Sequence, residues 1–221
     1  LHDAGKYLPL AGYPGTKVPP QIGWPPGLCV VGTVNVDETT FSFAPKVLDR
    51  ACVLEFLDVD LGRAFAMQER DSEWKALGPW LTVVQDTLHP YALHLGYRAA
   101  LEIADLAKAH LGEDATTWGT APGFSAFLDG MLRNKVLPRV RGSGAQIQPV
   151  LLDLLALSIG GLDQDKRKAA REECAKRAES GSITALTKDQ EAVEKWNYPE
   201  AAKKCVSMLA KVDGTGFASF F

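Results

Sequence analysis

The chain has 221 residues, of which 46% are hydrophobic and 23% are charged, and its formal net charge is −3. These values are ordinary for a globular protein with a buried core, and they exclude an overall basic field that would draw the protein to nucleic acid. A local basic patch stays compatible with them. The apolar stretch at residues 150–162 is interrupted by Asp153 and two glycines, well short of the ~18 apolar residues of a membrane-spanning helix. We therefore expect no membrane association.

Cysteine usage indicates a reduced, cytoplasmic protein. The four cysteines show neither a C-x-x-C pair nor a histidine at metal-ligand spacing, so they predict neither a zinc site nor a disulfide framework. Cys29 and Cys52 lie inside apolar runs and are predicted to be buried. The chain begins at Leu1 without a signal-peptide pattern, and its first methionine is Met67, which is typical of a piece of a longer protein.

The first quarter of the chain predicts a strand–helix–strand unit. Residues 1–27 are rich in glycine and proline, as in a surface loop or linker. Residues 28–34 form a short β-branched run, which predicts a strand buried on both faces of a parallel sheet. Residues 41–50 then predict a helix that tolerates Pro45 in its first turn. Residues 51–56 predict a second strand, which completes a βαβ unit.

The remainder of the chain has helical spacing. No strand pattern of comparable strength follows residue 62, so we expect a helical domain after the end of an α/β domain. In one of these helices the predicted apolar stripe is Tyr97, Leu101, Ala104 and Leu111. The predicted helices cover residues 73–85, 91–111, 123–135, 145–158, 164–179 and 199–211, and the fifth of them is mostly charged and predicted to be solvated.

Asn35 is the first candidate site residue. It lies at the carboxyl end of the predicted strand at residues 28–34, where ligands of open α/β sheets collect. An amide there can orient an attacking water and bond to a γ-phosphate. The alternative is an Asx turn that merely ends the strand.

The neighbouring Asp37 and Glu38 resemble the acidic pair that holds magnesium in nucleotide hydrolases, but two features oppose that interpretation. Asn35 interrupts the apolar run before the acids, and the phosphate-binding pattern G-x-x-x-x-G-K-[ST] is absent from the chain. A solvated turn, or carboxylates near a helix N-terminus, is the alternative that we favour. We predict no metal site here.

Two arginines are the other candidates. Arg50 ends the predicted helix at residues 41–50, where it either complements the helix dipole or serves as an arginine finger. Arg98 lies on a polar stripe with Glu102 and Asp105, so it either pairs with Glu102 four residues later or contacts phosphate. The histidines form no H-E-x-x-H motif, and no G-x-S-x-G motif supports a nucleophilic hydrolase.

Several segments occur in a characteristic order. They read VVGTVNVDETT, FAPKVLDRA, HLGYRAALEIADL, NKVLPRVRGSGAQIQPVLLDLL, NYPEAAKKCVSML and a closing GFASFF. From about residue 28 to 221 the chain resembles the C-terminal part of McrB-like AAA+ ATPases, relatives of the motor subunit of methylcytosine-dependent restriction systems. The GT-x-N segment at a strand end is moderately specific, and the combined order is much more so.

The resemblance implies a fold and a set of roles. Residues 1–65 would be the C-terminal part of a parallel α/β AAA+ core, and residues 66–221 a helical lid. Asn35 would be the sensor-1 asparagine, Arg50 the arginine finger acting on the next protomer, and Arg98 in LGYR the sensor-2 arginine. ATP or GTP with Mg²⁺ would bind the parent protein, which would form a homo-oligomeric ring, contact DNA and drive an McrC-like nuclease subunit. Arg139, Arg141, Gly142 and Ser143 match the family's lid block, without a catalytic role.

The chain also departs from the family pattern. Glu38 stands where that family has an aspartate, and Thr39 where it has an arginine. The double or triple arginine at the helix end is reduced to Asp49-Arg50. These changes leave open whether the nucleotide is ATP or GTP and which partner binds. The Walker A and Walker B motifs are absent, so the chain alone is expected to be inactive.

Two other functions compete with this one. Without Walker motifs, the chain could act as a non-catalytic helical scaffold that carries a βαβ appendage. A AAA+ motor that remodels proteins rather than DNA is the third possibility, because a specificity domain would lie outside this sequence.

Overall fold

The computed structural model describes residues 7–9, 21–23, 27–33, 43–54 and 59–220. The chain divides into two compact units, Leu1–Glu55 and Phe56–Phe221. We refer to them as the N-terminal unit and the helical unit.

The N-terminal unit contains one short hairpin and one helical turn among its described residues. Strand β1 (Tyr7–Pro9) pairs antiparallel with β2 (Gln21–Gly23). Helix α1 (Pro45–Leu48) begins at a proline, whose fixed φ and missing N–H suit the first helical position. The predicted helix is thus found, although it is shorter than residues 41–50.

The predicted βαβ unit is not found in the described part of the N-terminal unit. Residues 28–33 and 51–54 form no strand and are exposed, with 83% of Val31 and 77% of Leu54 accessible. A strand buried on both faces needs neighbouring strands to take up its N–H and C=O groups, and no described residue supplies them. Burial of Cys29 and Cys52 was also a wrong prediction, because both are exposed.

The helical unit confirms the prediction of a helical C-terminal part. Each of the six helices predicted from spacing has a counterpart, and five of them begin within two residues of the predicted start. The helix predicted at residues 91–111 begins only at Tyr97. Two short helices, α2 and α8, were not predicted. The α-helices are α2 (Leu61–Ala66), α3 (Asp71–Leu88), α4 (Tyr97–Leu111), α5 (Phe124–Met131), α6 (Gly144–Gly160), α7 (Gln164–Glu179), α8 (Gln190–Glu194) and α9 (Pro199–Thr215).

Shorter elements connect these helices. A π-helical segment (Leu132–Val136) continues α5 and runs into a 3₁₀ turn (Leu137–Arg139). Strands β3 (Gly142–Ser143) and β4 (Phe217–Ala218) pair antiparallel and join the start of α6 to the end of α9. Among the described helices, none is both long and apolar enough to cross a bilayer.

The core of the helical unit is built around α6. This helix is buried on most of its circumference and packs between α7 and α9, as expected for a helix that is apolar all round. Trp80 and Trp118 are among the largest fully buried side chains. On α4 the buried stripe is Ala100, Ile103, Ala104 and Ala107, whereas Tyr97 is exposed, so the predicted stripe was shifted.

The α6–α9 junction, which comprises residues 158–161 and 197–201, fixes the helices around α6. A Cβ atom on Gly160 would lie 2.6 Å from the backbone nitrogen of Arg167, so α7 touches α6 backbone to backbone. The Tyr198 N–H donates to the Ser158 carbonyl at 2.9 Å, and Asn197 Nδ2 donates to the Ile159 carbonyl at 2.8 Å. The last turn of α6 therefore satisfies its carbonyl groups with the residues that open α9.

A buried carboxylate completes this junction. Asp129 of α5 is only 5% exposed and accepts hydrogen bonds from the backbone N–H groups of Glu200 at 2.9 Å and Ala201 at 2.8 Å. These N–H groups lie in the first turn of α9, where no partner exists within the helix. Burial raises the pKa of the Asp129 carboxyl, and the two N–H donors oppose that effect. Asp129 acts as an N-cap that is supplied from another helix.

We predict that Gly160→Ala destabilises the protein by about 2–3 kcal/mol, because the new methyl group must push α7 away from α6. Gly214→Ala in α9 is the matched control, since a Cβ there meets no atom within 4 Å and alanine favours the helix by up to ~1 kcal/mol. Urea unfolding of both variants measures the difference. Equal unfolding midpoints would contradict the close approach of α6 and α7.

We predict that Asp129→Ala lowers the free energy of unfolding by about 2 kcal/mol, because two buried N–H groups lose their acceptor. Asp129→Asn keeps one acceptor oxygen and is expected to lose less. Denaturant unfolding near neutral pH gives the ranking. An alanine variant as stable as the asparagine variant would refute the capping role.

Candidate functional site

The candidate site lies at the start of α4, where the sequence reads LGYR. Gly96 is the extended N-cap residue, and its carbonyl accepts the first helical bond, from the Ala100 N–H at 3.2 Å. No side chain caps this end, so the first N–H groups of α4 keep no intrahelical partner. Arg98 lies in the first turn and is exposed. The N-terminus of α4 therefore places the positive end of the helix dipole beside a cationic side chain.

The loop before α4 is anchored on α3. Leu95 is fully buried, and its N–H donates to Gln85 Oε1 at 2.8 Å. Gln85 Nε2 donates in return to the Leu95 carbonyl at 3.3 Å. A single amide thus satisfies both backbone groups of a buried loop residue, as such groups require. The position of Arg98 is set by this fixed loop rather than by a free segment.

The structure brings a second sequence block, NKVLPR, against the start of α4. Lys135 Nζ in the π-helical segment lies 2.9 Å from Glu102 Oε2 on α4. Arg139 Nη1, at the end of the 3₁₀ turn, donates to the His94 carbonyl at 3.4 Å. Two blocks that are separated by more than thirty residues in sequence thus form one surface, which we call the α4 entrance: His94, Arg98, Glu102, Lys135 and Arg139.

Charge is unevenly distributed over the α4 entrance. The bond from Lys135 holds the pKa of the Glu102 carboxyl below its usual range, and the charge of Arg98 adds a smaller effect in the same direction. The predicted Arg98–Glu102 pair is therefore corrected, because the hydrogen-bonded partner of Glu102 is Lys135. No hydrogen bond joins Arg98 to another described residue. Its guanidinium is therefore an exposed cation at this entrance that can meet a ligand.

An open groove of about 560 Å³ lies beside this surface, between α2 and the first turns of α4. Its apolar lining includes Met67 and Tyr97, which are 76% and 45% exposed. Asp60 at its rim accepts from the Arg63 N–H at 2.9 Å and caps α2. The groove therefore presents a partly apolar surface at Tyr97, the residue that precedes Arg98.

The other predicted site residues belong to the N-terminal unit. Asn35, like Asp37 and Glu38, lies outside the described residues, so its predicted role stays a prediction. Arg50 follows α1 in the N-terminal unit and is exposed, with its N–H donating to the Val47 carbonyl at 3.1 Å. That exposure leaves its guanidinium accessible to a partner.

The lid-block residues after Arg139 have a structural role. Gln146 Oε1 accepts from Ser143 Oγ at 2.9 Å, which fixes the start of α6. The Gly144 N–H donates to the Gly216 carbonyl at 2.8 Å, beside the β3–β4 pairing. The segment at residues 142–144 is therefore hydrogen-bonded to the residues that follow α9.

Sequence reasoning missed one polar cluster near the site. The Asp153 carboxylate of α6 accepts from Tyr91 Oη and from Arg171 Nε of α7. Burial, and secondly the bond to Asp153, raises the pKa of Tyr91 to about 12. The acid that interrupts VLLDLL was the available signal. It ties the turn before α4 to the core helix.

The described part of the chain contains no metal-binding cluster, and its two buried thiols are poor nucleophiles. There, no group of three or more histidine, cysteine, aspartate or glutamate side chains could hold a metal ion. Cys174 is buried, and its burial raises the pKa of its thiol to about 11. Burial also raises the pKa of Cys205. Neither thiol forms the thiolate that a nucleophile requires.

A family model described as a domain of unknown function (DUF8727) matches residues 58–217. The chain belongs to this family. No curated protein and no solved structure matches the chain. The DUF8727 match covers nearly the whole helical unit, including Arg98, whereas Asn35 and Arg50 precede it. The α4 entrance lies within the matched residues, and the N-terminal unit lies outside them.

We predict that Gln85→Ala destabilises the protein by about 1–2 kcal/mol, because the buried Leu95 N–H and C=O both lose their partner. Faster proteolysis is expected between residues 92 and 96. Gln190→Ala, at an exposed position on α8, serves as the control. Limited proteolysis combined with urea unfolding tests this anchor. A cleavage pattern shared by both variants would count against it.

Proposed function

We propose that this chain is the sensor-1-to-lid part of an McrB-like AAA+ NTPase, in which Arg98 is the sensor-2 arginine. The parent protein would hydrolyse ATP or GTP with Mg²⁺ in a homo-oligomeric ring. One observation carries the proposal. The LGYR arginine is exposed in the first turn of α4, while the neighbouring cation Lys135 is engaged by Glu102.

The chemistry of phosphate binding supports this role. An arginine can donate two parallel hydrogen bonds to phosphate oxygens, and it stays charged at every physiological pH. The uncapped N–H groups at the start of α4 favour the same anion. Gln85 fixes the backbone of Leu95, so the loop that leads to Arg98 is already ordered before a phosphate arrives.

The other two roles rest on the sequence order. Asn35 would orient the attacking water, and Arg50 would reach the phosphate bound by the next protomer. The phosphate loop and the magnesium-binding acid would come from elsewhere in a longer parent protein, because this sequence contains neither motif. We further propose that the ring drives a nuclease partner on DNA. Whether ATP or GTP is used stays open.

Replacing Arg98 tests the sensor role. In a parent protein that carries the phosphate loop, Arg98→Ala is expected to lower NTP turnover by about 10²–10³-fold, because one charged donor to the transferring phosphoryl group is lost. Arg98→Lys keeps the charge but not the paired geometry and should restore only part of the rate. Arg177→Ala on α7 is the control, since Arg177 pairs with Glu173. Full turnover in Arg98→Ala would remove the assignment.

A mixing experiment tests the finger. Arg50→Ala is expected to lower turnover by about 10³-fold or more. Mixing this variant with Asn35→Ala should partly restore turnover, because some interfaces then combine an intact Arg50 with an intact Asn35. Unchanged turnover in Arg50→Ala alone would eliminate the finger role, and failure of the mixture to recover would eliminate its action across subunits.

A non-catalytic scaffold is the second candidate function. It is favoured by the missing Walker motifs and by a helical unit with its own core. The coding sequence upstream decides between the two. A GK[ST] loop followed by an hhhhDE strand within about 200 residues supports the NTPase, and its absence supports the scaffold. A protein-remodelling motor would share these motifs and differ in its substrate.

A further inference from the structure

A basic surface lies on α9 and on the π-helical segment that packs against it. Residues 133–141 contain four cations and no acid, although the whole chain is acidic. One of the four, Arg133, is exposed in the π-helical segment that packs against α9. On α9 itself, Lys204 and Lys211 are seven residues apart. They share one face of the helix and are separated by two turns, about 10 Å.

These three cations act on one another. The pKa of Lys204 lies below its ordinary value, first because its ammonium group is partly desolvated, and then because the charges of Lys211 and Arg133 oppose its own. The nearby acid Glu200 is engaged by Lys203 at 2.8 Å. Asp213 is an exposed acid two residues beyond Lys211. The unfavourable proximity of like charges would be relieved by a bound polyanion.

Aromatic rings accompany the cations. Lys204 Nζ lies 4.3 Å from the centroid of the Phe220 ring. Thr215 Oγ1 bonds to the carbonyls of both Lys211 and Phe217, so Phe217 follows directly after the end of α9. Phe217 is 53% exposed, so its ring is accessible to a ligand. We call this surface the α9 basic face: Arg133, Lys204, Lys211, Phe217 and Phe220.

We propose that the α9 basic face binds single-stranded nucleic acid. Cations two helical turns apart can contact phosphates along one strand, while an exposed ring can stack on an unpaired base. A duplex hides its base faces and leaves Phe217 without that partner, and an acidic peptide offers no flat ring to stack. This binding is independent of the nucleotide hydrolysis proposed above.

The test uses the whole 221-residue chain without nucleotide. Fluorescence anisotropy measures binding of a labelled oligothymidylate of about 20 nucleotides, longer than a typical single-strand site. The triple variant Arg133→Gln/Lys204→Gln/Lys211→Gln is expected to lose at least about tenfold in affinity. The slope of log K against log salt should fall by about 2, as three phosphate contacts are removed.

Matched controls separate a local site from bulk charge. Lys168→Gln/Lys176→Gln/Lys188→Gln removes the same net charge at exposed positions outside the α9 basic face, and it should leave affinity nearly unchanged. Phe217→Ala keeps every charge and is expected to weaken binding by about fivefold or more without altering the salt slope. Urea unfolding checks that each variant is folded, and Lys204→Gln alone replaces the triple variant if that variant is unstable.

Several results would overturn the proposal. They are the absence of oligonucleotide binding at about 50 mM salt, equal losses in the two triple variants, a full-affinity Phe217→Ala, and tighter binding to the matching duplex. Displacement of the strand by polyglutamate at equal charge concentration would instead assign the surface to acidic proteins. Because no nucleotide is present, failure here leaves the proposed hydrolysis untouched, and failure of Arg98→Ala to affect turnover leaves this binding untouched.

Discussion

The helical unit depends on the missing side chain of Gly160. Because a Cβ on Gly160 would lie 2.6 Å from the backbone nitrogen of Arg167, the start of α7 packs directly against the backbone of α6 at this glycine. The end of α6 is thereby fixed, and its carbonyls at Ser158 and Ile159 receive the residues that open α9. Asp129 then caps α9 from α5. Four helices converge on this junction, and each of these interactions presupposes the others.

The same core helix also anchors the turn that leads to the α4 entrance. Asp153 lies on α6 and binds Tyr91 in the turn that leads to α4, while Arg171 of α7 holds the other carboxylate oxygen. Beyond that turn, the Gln85 side chain makes hydrogen bonds to both the N–H and the carbonyl of Leu95. Arg98 is thus presented from a loop that is fastened at two points. The side chain of an exposed arginine on such a base stays mobile, and ordering it on a ligand costs about 2 kcal/mol of side-chain entropy.

Helices that depend on one continuous segment were predicted from the sequence, whereas contacts between residues far apart in the chain were not. Helices such as α6 and α9 were recognised because their apolar spacing is carried within one segment. The strand expected at residues 28–34 failed because strand burial depends on neighbours that the segment cannot specify. For the site, Lys135 as the partner of Glu102 was not foreseen, since the two lie in different sequence blocks, and the role of Arg98 stays a prediction. The bonds of Asp129 to α9 are equally invisible to periodicity.

The π-helical segment links the two surfaces of the helical unit. Lys135 points toward α4 and binds Glu102, whereas Arg133, two residues earlier, acts on Lys204 of α9. In an α-helix, side chains two residues apart point about 200° away from each other around the axis. The wider π turn changes which neighbours these side chains reach. A shift of this short segment would alter the charge environment of Arg98 and of the α9 basic face at the same time. Departures from α-helical geometry of this kind recur at functional positions. Here the π-helical segment separates Lys135, which is paired with Glu102, from the exposed Arg133.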